Sequence, residues 1–156
     1  MTDLLFFCGN LTAIVGWTLL VLLPRWRGVA QAAATLFVPG LLAIAYTVLI
    51  VGWWSQGEGG FGSLSEVRTF FQTPELLLAG WLHYLAFDLF VGAWEARQAR
   101  RDGVPHLVIV PILVLTCLFG PAGYLASIAI NAAWRLVRPP AILHDPRNRE
   151  DRKSVV

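Results

Sequence analysis

The chain has 156 residues, 56% of them hydrophobic and 14% charged, with a formal net charge of +2 and a mean hydropathy of +0.62. That apolar excess excludes a water-exposed globular fold, and one domain is the default at this length. The small net charge, with basic residues gathered at segment ends, suits membrane-surface anchoring and argues against a nucleic-acid partner, while Cys8 and Cys117, both in apolar runs, supply no disulfide framework.

Crossing roughly 30 Å of hydrocarbon takes about 20 apolar residues. Four stretches of that order predict an all-α integral membrane protein with four transmembrane helices, a single spanning domain over residues 1–137. The first, residues 4–23, is stopped by "PRWRG"; it opens on "MTD" and carries Arg25 and Arg27 behind it, the reverse of a signal peptide, and reads as an uncleaved span. The second, residues 34–54, ends on Trp53 and Trp54, residues suited to the water interface. The connection "SQGEGGFGSLSEVRTFFQT" contains a formal G-x-G-x-x-G match, but no strand precedes it, so it is a loop and no dinucleotide fingerprint.

The third span is expected over residues 74–94, with Thr73 as its cap, Pro74 at the first helical position and Glu75 beside the positive end of the helix dipole. Glu95 falls at its far end, where a carboxylate is expected to reach water. The fourth stretch, residues 106–137, is too long for one crossing and too short for two. "FGPAG" at Phe119–Gly123 predicts a broken or kinked helix that continues beyond the bilayer or along its surface. The charged, proline-containing tail, residues 138–156, is expected to be disordered. Arg25, Arg27, Arg97, Arg100 and Arg101 follow spans one and three, whereas Arg135 and Arg138 follow span four. Four crossings split these between both faces, and the larger group, counted as cytoplasmic, leaves both termini outside the cytoplasm.

Ionisable groups inside a span point to function. In "GWLHYLAFDLFVGAW", Gly80–Trp94, an ionised Asp88 costs about 2.5–3.5 kcal/mol at a helix centre, so it has a partner or is kept neutral. At 3.6 residues per turn His83 and Asp88 stand about 140° apart with a rise near 7.5 Å, so they share no narrow face. Asp88 shares a stripe with Trp81, Leu85 and Glu95; His83 lines up with Gly80, Phe87 and Trp94. The pair either fixes packing through interhelical hydrogen bonds or flanks a functional cavity. Candidate ligand contacts are Trp81, Tyr84 and Phe87 on the same span and Asn10 and Asn131 from spans one and four. Asn10 and Asn131, like Thr12, Tyr46, Thr47, Thr116, Tyr124 and Ser127, serve equally as hydrogen-bonding glue between helices. No metal-ligand set is present, and a haem on His83 lacks a second histidine at comparable depth.

"WLHYLAFDLFVG" resembles the W-[LI]-H-x-L-x-x-D-L-F core of the ABA4-like family of small multi-span membrane proteins. "LTCLFGPAGYL", Leu115–Leu125, resembles the family's last span, and "LLVLLPRW" its first connection. Plant members are associated with forming neoxanthin from violaxanthin. The resemblance implies acid/base isomerisation of an epoxide to an allene, with no redox change, no obligatory metal and no cofactor, and with Asp88 as acid and His83 as base or the reverse. The sequence shows no plastid leader ahead of span one, so a member in the bacterial cytoplasmic membrane is expected, acting on another carotenoid or isoprenoid. Two other classes compete. A non-catalytic pigment-binding or assembly subunit would use the 7 Trp and 9 Phe. Proton-coupled transport would use His83, Asp88 and Glu95 as a relay, although the spans show no internal repeat. The expected partners are the lipid bilayer, a carotenoid or isoprenoid ligand, and a second copy of the chain or another membrane protein.

Overall fold

The computed structural model describes residues 1–22 and 32–137, which are mostly helical with no strand among them. The connection after span one and the charged tail lie outside the described residues. Four helices are long and apolar enough to cross a membrane. Helix α1, Thr2–Leu22, starts with Asp3 in its first turn, where the helix dipole favours an anion. A π-helical turn at Ala33–Phe37 leads into α2, Val38–Trp53.

The polar connection holds a short helix, α3, Leu64–Phe70, which the loop reading passed over. Its signal is "SLSE": Ser63 Oγ accepts from the Glu66 backbone N–H at 3.2 Å, and Glu66 Oε2 accepts from the Gly62 N–H at 3.1 Å. This is a variant of the capping box, with the carboxylate reaching back one residue further. Trp54, Phe61 and Phe70 cluster above it with ring centroids 5.2–5.9 Å apart.

Helix α4, Pro74–Arg101, is the axle of the fold. It does not stop at Trp94 with the apolar run. Ala93, Ala96 and Ala99 continue a small, fully packed stripe, and the helix ends only at Asp102 and Gly103. There the Val104 N–H reaches the Ala99 carbonyl at 2.8 Å and the Gly103 N–H reaches the Arg100 carbonyl at 3.2 Å, a Schellman closure that Gly103 allows by adopting φ +72°. Helix α1 lies parallel to α4: Gly9 packs on Leu82, Gly16 on Leu89, and Trp17 fills the space over Gly92. Small residues of this kind let membrane helices approach closely. Helix α2 runs antiparallel to α4, with Thr35 accepting from Arg97 Nη1 at 2.8 Å and Tyr46 beside His83.

The last helix, α5, His106–Val137, corrects the expectation of a helix continuing past the bilayer. Its backbone leaves helical values at Phe119 (φ −140°, ψ 35°) and Gly120 (φ 11°, ψ −80°), and the chain doubles back. A Cβ on Gly123 would collide with the backbone of Thr116, and Arg135 Nη2 binds Asp102 Oδ2 at 2.8 Å, just before α5 begins. The descending limb, residues 106–118, is about 20 Å long at 1.5 Å per residue, short of the hydrocarbon thickness. Its start is held to the end of α1 by His106 Nε2 and the Val21 carbonyl at 2.8 Å. The returning limb, residues 121–137, opens with Pro121, whose missing N–H costs nothing at a helix start. Val137 therefore lies at the face where α1 and α4 end, opposite Met1, so the two described ends stand on opposite faces and the expectation of both termini on one side is overturned.

Candidate functional site

The apex of this hairpin rests on the middle of α4. Asp88, midway along that 28-residue helix, faces Gly120 so closely that a Cβ there would stand 2.5 Å from Asp88 Oδ1. Any side chain at the apex would push the carboxyl aside. Asp88 is partly exposed, and its Oδ2 is buried without a hydrogen-bond partner among the described residues. One turn earlier, the Tyr84 hydroxyl bridges to the hairpin, within reach of the Cys117 carbonyl at 3.2 Å and the Leu118 carbonyl at 3.4 Å. These carbonyls lack helical partners because the break at Phe119 and Gly120 removes the next turn, and a tyrosine one turn from Asp88 is placed to supply the donor.

Cys117 and Leu118 also line a groove of about 340 Å³ between α1 and the descending limb, whose other walls are Trp17, Thr18, Val21, Leu22, Leu113 and Val114. The lining is almost wholly apolar, and the volume falls at the lower end of the range of small-molecule sites. Of its lining residues, Cys117 lies within electrostatic reach of Asp88.

The structure does not bring His83 and Asp88 together. His83 is exposed on another flank of α4, stacked on Phe87 at 4.5 Å and beside Tyr46 at 5.5 Å. Trp81 is also partly exposed. It donates to Asn10 Oδ1 at 3.3 Å and contacts Phe6 and Tyr84, while Asn10 Nδ2 returns a bond to the Phe6 carbonyl at 2.7 Å. Asn10 thus ties α1 to α4. Asn131 is buried in the returning limb, with Nδ2 donating to the Ser127 carbonyl at 2.8 Å and Oδ1 unpartnered among the described residues. No group of three or more His, Cys, Asp or Glu side chains that could hold a metal is formed by the described residues.

Glu95 is the residue the sequence reading misplaced. Far from reaching water, it has no solvent exposure; its Oε2 accepts from Thr116 Oγ at 2.8 Å, and Ser127 also faces it. Its stripe with Asp88 was visible from the seven-residue spacing. The cover over it was not, because that cover is the returning limb.

The family model described as ABA4-like, "ABA DEFICIENT 4-like", matches residues 4–126, which include nearly all of α1, all of α2, α3 and α4, and the hairpin apex. No curated protein and no solved structure matches the chain.

Proposed function

The chain belongs to the ABA4-like family, and from that premise we propose that it takes a carotenoid or related isoprenoid from the membrane and isomerises it by acid/base chemistry at Asp88. The observation that carries this reading is one juxtaposition: a partly exposed carboxyl midway along α4 faces the hairpin apex, and the residues just before that apex, Cys117 and Leu118, form one wall of an apolar groove. Intramembrane carboxyls of this kind usually serve function.

On an epoxide substrate, Asp88 gives its proton to the epoxide oxygen as the carbon–oxygen bond breaks. A base removes a proton from the neighbouring polyene carbon, and the electron pair released forms the allene. The product is an isomer bearing a hydroxyl, so atoms, electrons and protons balance without a cofactor. His83, about 140° around α4 from Asp88 and packed with Phe87 and Tyr46, does not reach that carbon while Asp88 holds the epoxide oxygen, so the proposal rests on Asp88. General acid/base assistance of this type contributes about 10²–10⁴ in rate.

The test is the pigment profile of a carotenoid-producing host expressing the wild-type protein or Asp88→Asn at matched levels. A new pigment with wild type alone is the expected result; identical profiles contradict it. A second reading, a pigment-binding subunit, is favoured by the exposed aromatic residues of α4: Trp81, Phe87, Phe90 and Trp94 are 36–58% exposed. Under that reading pigment copurifies unchanged, and Phe87→Ala lowers its yield more than Asp88→Asn.

A further inference from the structure

Three carboxyl residues recur at seven-residue intervals along α4 and its C-cap: Asp88, Glu95 and Asp102. Seven residues advance a helix by about 10.5 Å and return it to within about 20° of its starting direction, so the three form one stripe. Each meets the hairpin. Asp88 faces Gly120, Glu95 faces Thr116 and Ser127, and Asp102 binds Arg135. The stripe therefore runs from the aqueous end of the returning limb to the middle of the membrane.

Its interior is short of donors. Glu95 is fully buried, and its Oε1 has no partner among the described residues. Asn131, one turn beyond Ser127 toward the aqueous end and 5% exposed, has an unpartnered Oδ1. Ser127 Oγ is turned to the Tyr124 carbonyl at 2.9 Å. Buried acceptors are ordinarily satisfied, so orphaned oxygens along one seam mark places for a proton or ordered water. The described groups acting on the Glu95 carboxyl are the Thr116 and Ser127 hydroxyls and the Asp88 carboxyl. The other titratable or charged groups packed along the seam are Tyr84 and Cys117 beside Asp88, Tyr124 against Trp94, and Arg135 at Asp102.

We infer that this seam is a proton route from the Asp102–Arg135 face to Asp88, with Glu95 as the relay group and with water held by Asn131, Ser127 and Thr116 bridging the intervals. The inference rests on the reading of Asp88 as the acid. After Asp88 has protonated the ligand, Glu95 passes it a proton and is refilled from water at the aqueous face. The proton taken by the base returns to bulk water, so a turnover leaves the proton count unchanged. Glu95 touches no ligand in this scheme and acts only through Asp88.

The experiment is infrared spectroscopy of the purified full chain in lipid nanodiscs, at a pH where the protonated Asp88 carbonyl stretch, identified by its loss in Asp88→Asn, is present. The rate at which that band shifts after transfer to D₂O is compared in wild type and Glu95→Gln, a variant that keeps the shape and the bond from Thr116. Glu95→Gln should slow the shift by about tenfold or more; an unchanged rate overturns the route. Should Glu95→Gln not fold, Ser127→Ala carries the same comparison, with slowing expected and an unchanged rate contrary. Pigment conversion on the same preparations separates the two claims. Conversion by wild type together with unslowed exchange in Glu95→Gln removes the route and leaves the acid reading. Slowed exchange without any conversion by wild type removes the acid reading and leaves the route.

Discussion

Gly120 and Gly123 show what one missing methyl group does for this protein. At Gly120 an added Cβ meets the flexible Asp88 carboxyl, whereas at Gly123 it meets the Thr116 backbone, which cannot swing away. Gly120→Ala should therefore cost about 1–3 kcal/mol, the usual range for overpacking. Gly123→Ala should cost more and lower the yield of folded protein, both read from thermal unfolding in detergent. Asp102 gives a pH-dependent contact outside the spans: the hydrogen bond from Arg135 holds its carboxyl below the ordinary carboxylate value. A depressed carboxyl contributes stability above its unfolded pKa and loses it as pH falls through the folded one. Amide protection in residues 121–137, taken relative to intrinsic exchange rates, should thus fall once the pH drops below the usual Asp range, and Asp102→Asn should show the lowered protection at every pH. The sequence marks Asp88 as out of place in an apolar helix, but its neighbour Gly120 lies 32 positions away and carries no chemical signature. Glu95 looked solvated because it follows the last aromatic of the apolar run.

Among the elements, the hairpin α5 separates what pattern reveals from what packing decides. Length and "FGPAG" together show that residues 106–137 cannot be one ordinary crossing, yet a break leaves the direction of the second limb open. That direction follows from contacts distant in sequence: the Thr116–Gly123 approach, the Thr116 bond to Glu95 and the ion pair of Arg135 with Asp102. The start of α4 was legible from Pro74, whereas its end was expected at Trp94 with the last of the hydrophobic run and lies at Arg101, closed by Gly103. Spin labels at the exposed Leu107 and Val137 should report a separation well below the roughly 45 Å that a straight helix of about 30 steps would impose. A distance near that value contradicts the doubled-back chain.

For the molecule as a whole, the returning limb changes the charge balance between the two faces. Arg97, Arg100, Arg101 and Arg135 lie toward the same end of the bundle. In the sequence, Arg25 and Arg27 fall between α1 and α2, and Arg138 follows Val137. Among the described Lys and Arg residues, Arg68 alone belongs to the connection at the opposite face. The positive-inside rule then assigns the basic face to the cytoplasm, which places Val137 inside and Met1 outside. A fluorescent reporter fused after Val156 should be protected from protease added outside intact cells, while an epitope before Met1 should be cleaved; the reverse pattern refutes the assignment. The same arrangement sets Asp88 midway along α4, against the hairpin apex. The measurement that bears most directly on this account is conversion of an epoxy-carotenoid by purified protein in lipid nanodiscs, followed by chromatography, with wild type and Asp88→Asn side by side. Formation of an isomeric allene by wild type and its loss in Asp88→Asn is the predicted result, and equal conversion by both would contradict the claim that Asp88 does the chemistry.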